Sequence, residues 1–224
     1  MTLLRQARAV AAKDLRIEIR GRHAAGVVLP FAATILLVFG LSLGPGRSLL
    51  QETAPALLWL AVLFASVLAF RQSYELEGED GALEGLVLAP VDAAAVFLGK
   101  AGAVAVGLAL LEAVALLLVG ALFGLSVVAD PVPMIAAFVL GTVGLAAVGS
   151  LFGVLQASPR ARESVFPLLV LPLATPVLIA GVRATSLAAA GRGAEAGGWL
   201  TLLVAFDAVF LAAGTLVFGF LLED

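Results

Sequence analysis

Six long apolar runs divide the chain, at 24–43, 53–70, 101–125, 134–156, 164–182 and 199–222. Each is close to the roughly 20 residues that carry a helix across a ~30 Å hydrocarbon core. Glu112 interrupts the third run and Asp207 the sixth, yet both runs are long enough to span with some tilt. None alternates apolar and polar residues with period two, so a transmembrane β-barrel is disfavoured. The first run has an apolar core longer than the roughly 7–15 residues of a signal peptide and a long charged approach, and it reads as a retained span. The pattern predicts six transmembrane helices.

Residues 1–23 follow a different pattern. On a helical wheel Leu3, Leu4, Ala7, Val10, Ala11, Leu15 and Ile17 occupy one side, while Arg5, Lys13, Arg16 and Arg20 gather on the other. This predicts an amphipathic interfacial helix along the cytoplasmic leaflet, with its basic side chains at anionic headgroups or against a cytoplasmic partner. Asp14 and Glu18 fall within the apolar arc and are expected to face protein, Glu18 pairing with Arg22 one turn on.

The segment 71–98 is the longest interruption between spans. It holds Glu75, Glu77, Glu79, Asp80, Glu84 and Asp92. Leu83, Leu86, Val87 and Pro90 recur at i, i+3, i+4 and i+7, which predicts a short amphipathic helix starting near Asp80 and stopped by Pro90. Asp92 then caps a helix that runs through Lys100 into span three. A short cytoplasmic helix with an apolar ridge and acidic flanks suits docking; a merely solvated charge run is the alternative.

Composition sharpens the class. The chain is 62% hydrophobic and 13% charged, far below the quarter charged that is usual in soluble domains, so it reads as an all-α integral membrane protein. With the amino terminus inside, ten Lys and Arg fall on the cytoplasmic side and three outside, which places both termini in the cytoplasm. Absence of Cys excludes disulfides, thiolate metal sites and iron–sulfur clusters, and one histidine, His23, is a poor inventory for haem ligation. No G-x-x-x-x-G-K-[ST] occurs, so the chain is not expected to hold ATP itself or to be an enzyme.

Three further features lie in the spans. Pro167, Pro172 and Pro176 in span five each suggest a lost backbone hydrogen bond and a kinked, mobile helix. Glu112 and Asp207 sit near mid-bilayer, where an ionised carboxylate costs at least about 2.5 kcal/mol, so they are protonated and hydrogen-bonded or face a wet cavity. The spacings Gly120 to Gly124 and Gly149 to Gly153 fit the small-xxx-small pattern of close helix contacts.

The string ELEGEDGALEGLVLAPVDAAAVFLGK at 75–100 resembles the ABC-2 type permease segment in which an acidic turn leads into a Leu-rich coupling helix. More narrowly, KDLRIEIR at 13–20, VFGLSLGPG at 38–46, APALLWLAVL at 54–63, DGALEGLVLAP at 80–90 and LLVLPLATPVLIAG at 168–181 resemble, in order, the CcmB family of cytochrome c maturation permeases. The resemblance covers essentially the whole chain and implies a single ABC-2 type transmembrane domain, residues 1–224. It implies a homodimer in the bacterial inner membrane, an ATPase subunit of the CcmA kind, a haem-handling subunit of the CcmC kind and a small single-span subunit of the CcmD kind. ATP, and haem where it takes part, are then held by partners, and no cofactor is bound directly. The acidic turn maps onto Asp80, Gly81 and Glu84 and the coupling helix onto Leu83, Leu86, Val87 and Pro90, and Glu75 and Glu79 join them in the expected ATPase-coupling set. Three alternatives stand beside this one: a permease for lipid, polysaccharide or drug, an ion-coupled secondary transporter, and a coupler that releases a haem-loaded chaperone without moving haem.

Overall fold

The computed structural model describes residues 2–21, 24–44, 46–79, 91–153 and 165–223. Among them the regular structure is helical throughout: α1 (Leu3–Gly21), α2 (Leu29–Ser42), α3 (Arg47–Glu79), α4 (Ala93–Phe123), α5 (Pro131–Gly153), α6 (Val165–Ala189) and α7 (Gly197–Glu223). A π-helical turn, Ala24–Val28, leads into α2, and a 3-10 turn, Gly193–Ala196, leads into α7. Five segments are long and apolar enough to cross a bilayer: Arg47–Phe70, Ala93–Phe123, Pro131–Gly153, Leu168–Ala189 and Gly193–Leu221. The first apolar run forms a shorter apolar helix, Gly26–Ser42, of about 26 Å at 1.5 Å per residue, which opens within the π-helical turn.

The helix ends follow local chemistry. Asp92 caps α4 as expected, its Oδ1 accepting from Ala94 N at 2.9 Å. Gly124 ends α4 in the left-handed region (φ 69°), its N–H donating to Gly120 O at 3.1 Å, and its own carbonyl accepts from Gln51 Nε2 at 3.2 Å. Gly124 of the Gly120–Gly124 pair is therefore a helix terminus, and it touches α3 through Gln51.

The candidate span within α3 ends at Phe70, with the helix continuing to Glu79, and α4 begins at Ala93, directly after the expected Asp92 cap. Span five does not end at 182; α6 continues past Arg183 to Ala189, and the expected loop 183–198 contracts to a tight turn. Pro172 and Pro176 lie inside α6, a helix that runs on unbroken, and Pro167 is among its first described residues.

Helix α3 and helix α5 form the centre of the bundle, with 61% of their spanning windows buried, whereas α7 buries 17% and lies at the edge. Glycines set how closely the central helices meet. Trp59 of α3 is wholly buried in a slot where a side chain on Gly141 of α5 or Gly181 of α6 would collide with its ring. Its Nε1 donates to Thr185 Oγ1 of α6 at 3.0 Å, and it stacks on Phe138 of α5 at 5.5 Å. Phe70 of α3 occupies the notch at Gly149 of α5, and Phe97 of α4 that at Gly214 of α7. Without a hydrophobic drive between helices in lipid, such interlocking supplies the packing energy. Leu110, Leu117, Val132, Leu168, Leu216 and Phe220 are more than half exposed and form an apolar outer surface suited to lipid.

Candidate functional site

Two places gather polar side chains against this background. The first is the seam between α1 and α4. A side chain on Gly99 would collide with Val10 and the Ala7 carbonyl, so α1 lies directly on α4. Asp14 reaches across this contact. Its carboxylate lies 3.6 Å from Lys100 Nζ, and Lys100 is 1% exposed; the other carboxylate oxygen lies 2.8 Å from Lys13 Nζ. The Asp92 backbone N–H donates to Gln6 Oε1 at 3.4 Å, closing the seam near the start of α4. Asp14 thus faces protein, as its place in the apolar arc suggested.

The same contact divides the apolar side of α1. Ala7 and Val10 are buried on α4, while Leu4, Ile17 and Ile19 remain exposed. Arg5, Arg16 and Arg20 are exposed, and Arg16 and Arg20 flank a groove with Ala9, Ala12, Lys13 and Ile17 along the outer face of α1. Glu75 and Glu79 belong to the last turns of α3. Asp80, Gly81, Leu83, Glu84, Leu86, Val87 and Pro90 lie outside the described residues, as do His23 and Arg22.

The second place is intramembrane. Glu112 of α4 and Thr142 of α5 meet at the floor of a cleft of about 450 Å³ between the two helices. Thr142 Oγ1 lies 2.5 Å from Glu112 Oε2 and 2.7 Å from the Phe138 carbonyl. Glu112 is 4% exposed, and its Oε1 has no hydrogen-bond partner among the described residues. The cleft is otherwise apolar, with Val106, Ala109, Met134, Ile135 and Val139 on its walls. Asp207 of α7 is sealed differently. It is 6% exposed, and a side chain on Gly144 of α5 would lie 2.8 Å from its Oδ1, which likewise lacks a partner among the described residues. The two carboxyls belong to separate places and do not form a pair. Among the described residues no three metal-ligating side chains come together.

Sequence reasoning anticipated the helix cap and the protein-facing Asp14, and it singled out Glu112 and Asp207, which are both buried. It missed Lys100 as the counter-charge of Asp14, and Thr142 and Thr185 as partners. A cation at the start of an apolar run was the one available signal for Lys100; single threonines inside apolar runs carry none.

Comparison with known proteins identifies the family. The model of the CcmB protein family matches residues 5–223. The chain is 30% identical over 208 residues to heme exporter protein B of Bradyrhizobium diazoefficiens, covering 92% of each chain. It is 32% identical over 212 residues to heme exporter protein B of Paracoccus denitrificans, covering 92% of this chain and 91% of that one. It is 32% identical over 204 residues to heme exporter protein B of Pseudomonas aeruginosa, covering 89% and 88%. With its series of apolar helices and a family match running almost from end to end, this multi-pass membrane chain belongs to the CcmB protein family.

Proposed function

We propose that this chain is the permease subunit of an ABC assembly for cytochrome c maturation, coupling ATP hydrolysis by a partner to haem export or to release of a haem-loaded chaperone. The observation that carries the reading is similarity to heme exporter protein B over about nine-tenths of both chains. In this reading the chain is not an enzyme, and it works as a homodimer in the bacterial inner membrane beside the ATPase, the haem-handling subunit and the small single-span subunit. Gly26–Ser42 serves as a sixth span, and both termini are cytoplasmic.

The acidic turn and the coupling helix at 80–90 receive the ATPase. That segment leads directly into Asp92 and α4, and α1 lies against the same end of α4. Force entering either element therefore reaches one rigid helix pair. The exposed basic face of α1 rests on anionic headgroups. Pro172 and Pro176 give α6 the place at which to bend during the cycle.

The test is purification in mild detergent with the ATPase coexpressed. Asp80→Lys with Glu84→Lys is expected to reduce co-purified ATPase severalfold while the chain stays monodisperse. Undiminished co-purification overturns the docking role, and the lack of any hydrolysing companion overturns the whole reading.

A further inference from the structure

We propose that the groove of Lys13, Arg16 and Arg20 on α1 binds the phosphate of an anionic phospholipid, and that its occupancy tightens the seam between α1 and α4. The inference rests on the reading that α1 lies along the cytoplasmic leaflet. Residues 13, 16 and 20 follow one another at three and four positions, so their cationic side chains share one face over a rise of roughly 10 Å. Ala9 and Ala12 leave that face low, and Ile17, 42% exposed, stands in its wall. Cations grouped around small residues suit a phosphate group. The apolar neighbours indicate what carries the phosphate. Ile17, Leu4 and Ile19 are exposed on the same helix, and an acyl chain covers them where water and a soluble phosphate do not.

Lys13 belongs to two places at once. It lines the groove, and its Nζ lies 2.8 Å from Asp14 Oδ1, while Asp14 Oδ2 lies 3.6 Å from Lys100 Nζ on α4. The Lys13–Asp14 contact joins neighbours in one helix and does not hold α1 to α4. It works against the contact that does, because Lys13 offsets the charge of Asp14 and repels Lys100 across the shared carboxylate. The Lys13 side chain is 40% exposed and is able to turn toward a phosphate, whereas that of Lys100, 1% exposed, is held in place. A phosphate that draws Lys13 away leaves Asp14 to Lys100 and strengthens the seam.

The test uses the full-length protein in nanodiscs of phosphatidylcholine alone or with phosphatidylglycerol, read by hydrogen exchange at the Asp92 amide. That amide donates to Gln6 Oε1 of α1, so its exchange reports opening of the seam from the α4 side. Phosphatidylglycerol is expected to slow it about threefold, the scale of one partly exposed ion pair, with the Gly124 amide at the far end of α4 unchanged. Lys13→Ala is expected to show the slow rate already in phosphatidylcholine and to gain nothing from phosphatidylglycerol. Arg16→Gln with Arg20→Gln is expected to keep the fast rate in both. An unchanged Asp92 rate while α1 amides gain protection in phosphatidylglycerol overturns the proposal and leaves α1 on the leaflet; no gain at α1 either overturns both. Equal slowing at Gly124 overturns it as a general effect of the bilayer, and equal slowing by inorganic phosphate in phosphatidylcholine overturns the lipid as the ligand. Should a variant not fold, the comparison of the two bilayers on the unaltered chain still decides.

Discussion

The seam between α1 and α4 and the seam around Trp59 are both tight contacts made at glycine, yet they are held by different forces. Around Trp59, three helices interlock an aromatic ring with Gly141 and Gly181, and one hydrogen bond to Thr185 satisfies its only donor. At Gly99 the backbone approach is as close, but the contact is fastened by charge, with Asp14 between Lys13 and the buried Lys100. Shape complementarity has no alternative partner in lipid, so the central seam is suited to permanence. A charge pair near the bundle's end can exchange partners, so the peripheral seam is suited to responding.

The largest expected effect comes from spoiling the central seam. Gly141→Leu drives a side chain into the Trp59 ring and is expected to cost at least about 3 kcal/mol, seen as a fall in the thermal midpoint of monodisperse protein by fluorescence-detected size exclusion. An unchanged midpoint would show that the ring has room to move. Asp14→Ala, which removes the carboxylate that Lys13 and buried Lys100 share, is expected to cost about 2 kcal/mol and to expose α1 to limited proteolysis. Adding Lys100→Met to that variant should recover most of the loss, since removing both charges is far less costly than removing one. If the double variant is as unstable as the single one, packing rather than charge holds α1. The smallest effect is Thr185→Val, which deprives Trp59 Nε1 of its acceptor at about 1 kcal/mol with no change in α1 protection. Loss of α1 protection there would mean that the two seams are not separate.

Much of this fold was legible in the sequence because lipid imposes a simple rule: apolar runs near 20 residues become helices. The α4 cap was legible from Asp92, and α1 from its wheel. Pairings between helices were not. Asp14 and Lys100 are 86 positions apart and become partners only once Gly99 lets α1 approach. The glycines were ambiguous for a related reason. With 24 in the chain, spacings of four arise freely, and only the structure separates Gly124, which ends a helix, from Gly149, which admits Phe70. Span five's prolines predicted a kinked helix, and α6 carries Pro172 and Pro176 without a break.

Helix α4 has 31 residues, roughly 46 Å of rod, against a hydrocarbon layer of ~30 Å. The rod exceeds that layer by roughly 16 Å, and its first turns are the part that α1 splints through Gly99 and Lys100. The protein therefore holds spare helix length in a braced form, and a thicker membrane can draw on it without tearing the bundle, the splint travelling with the rod it supports.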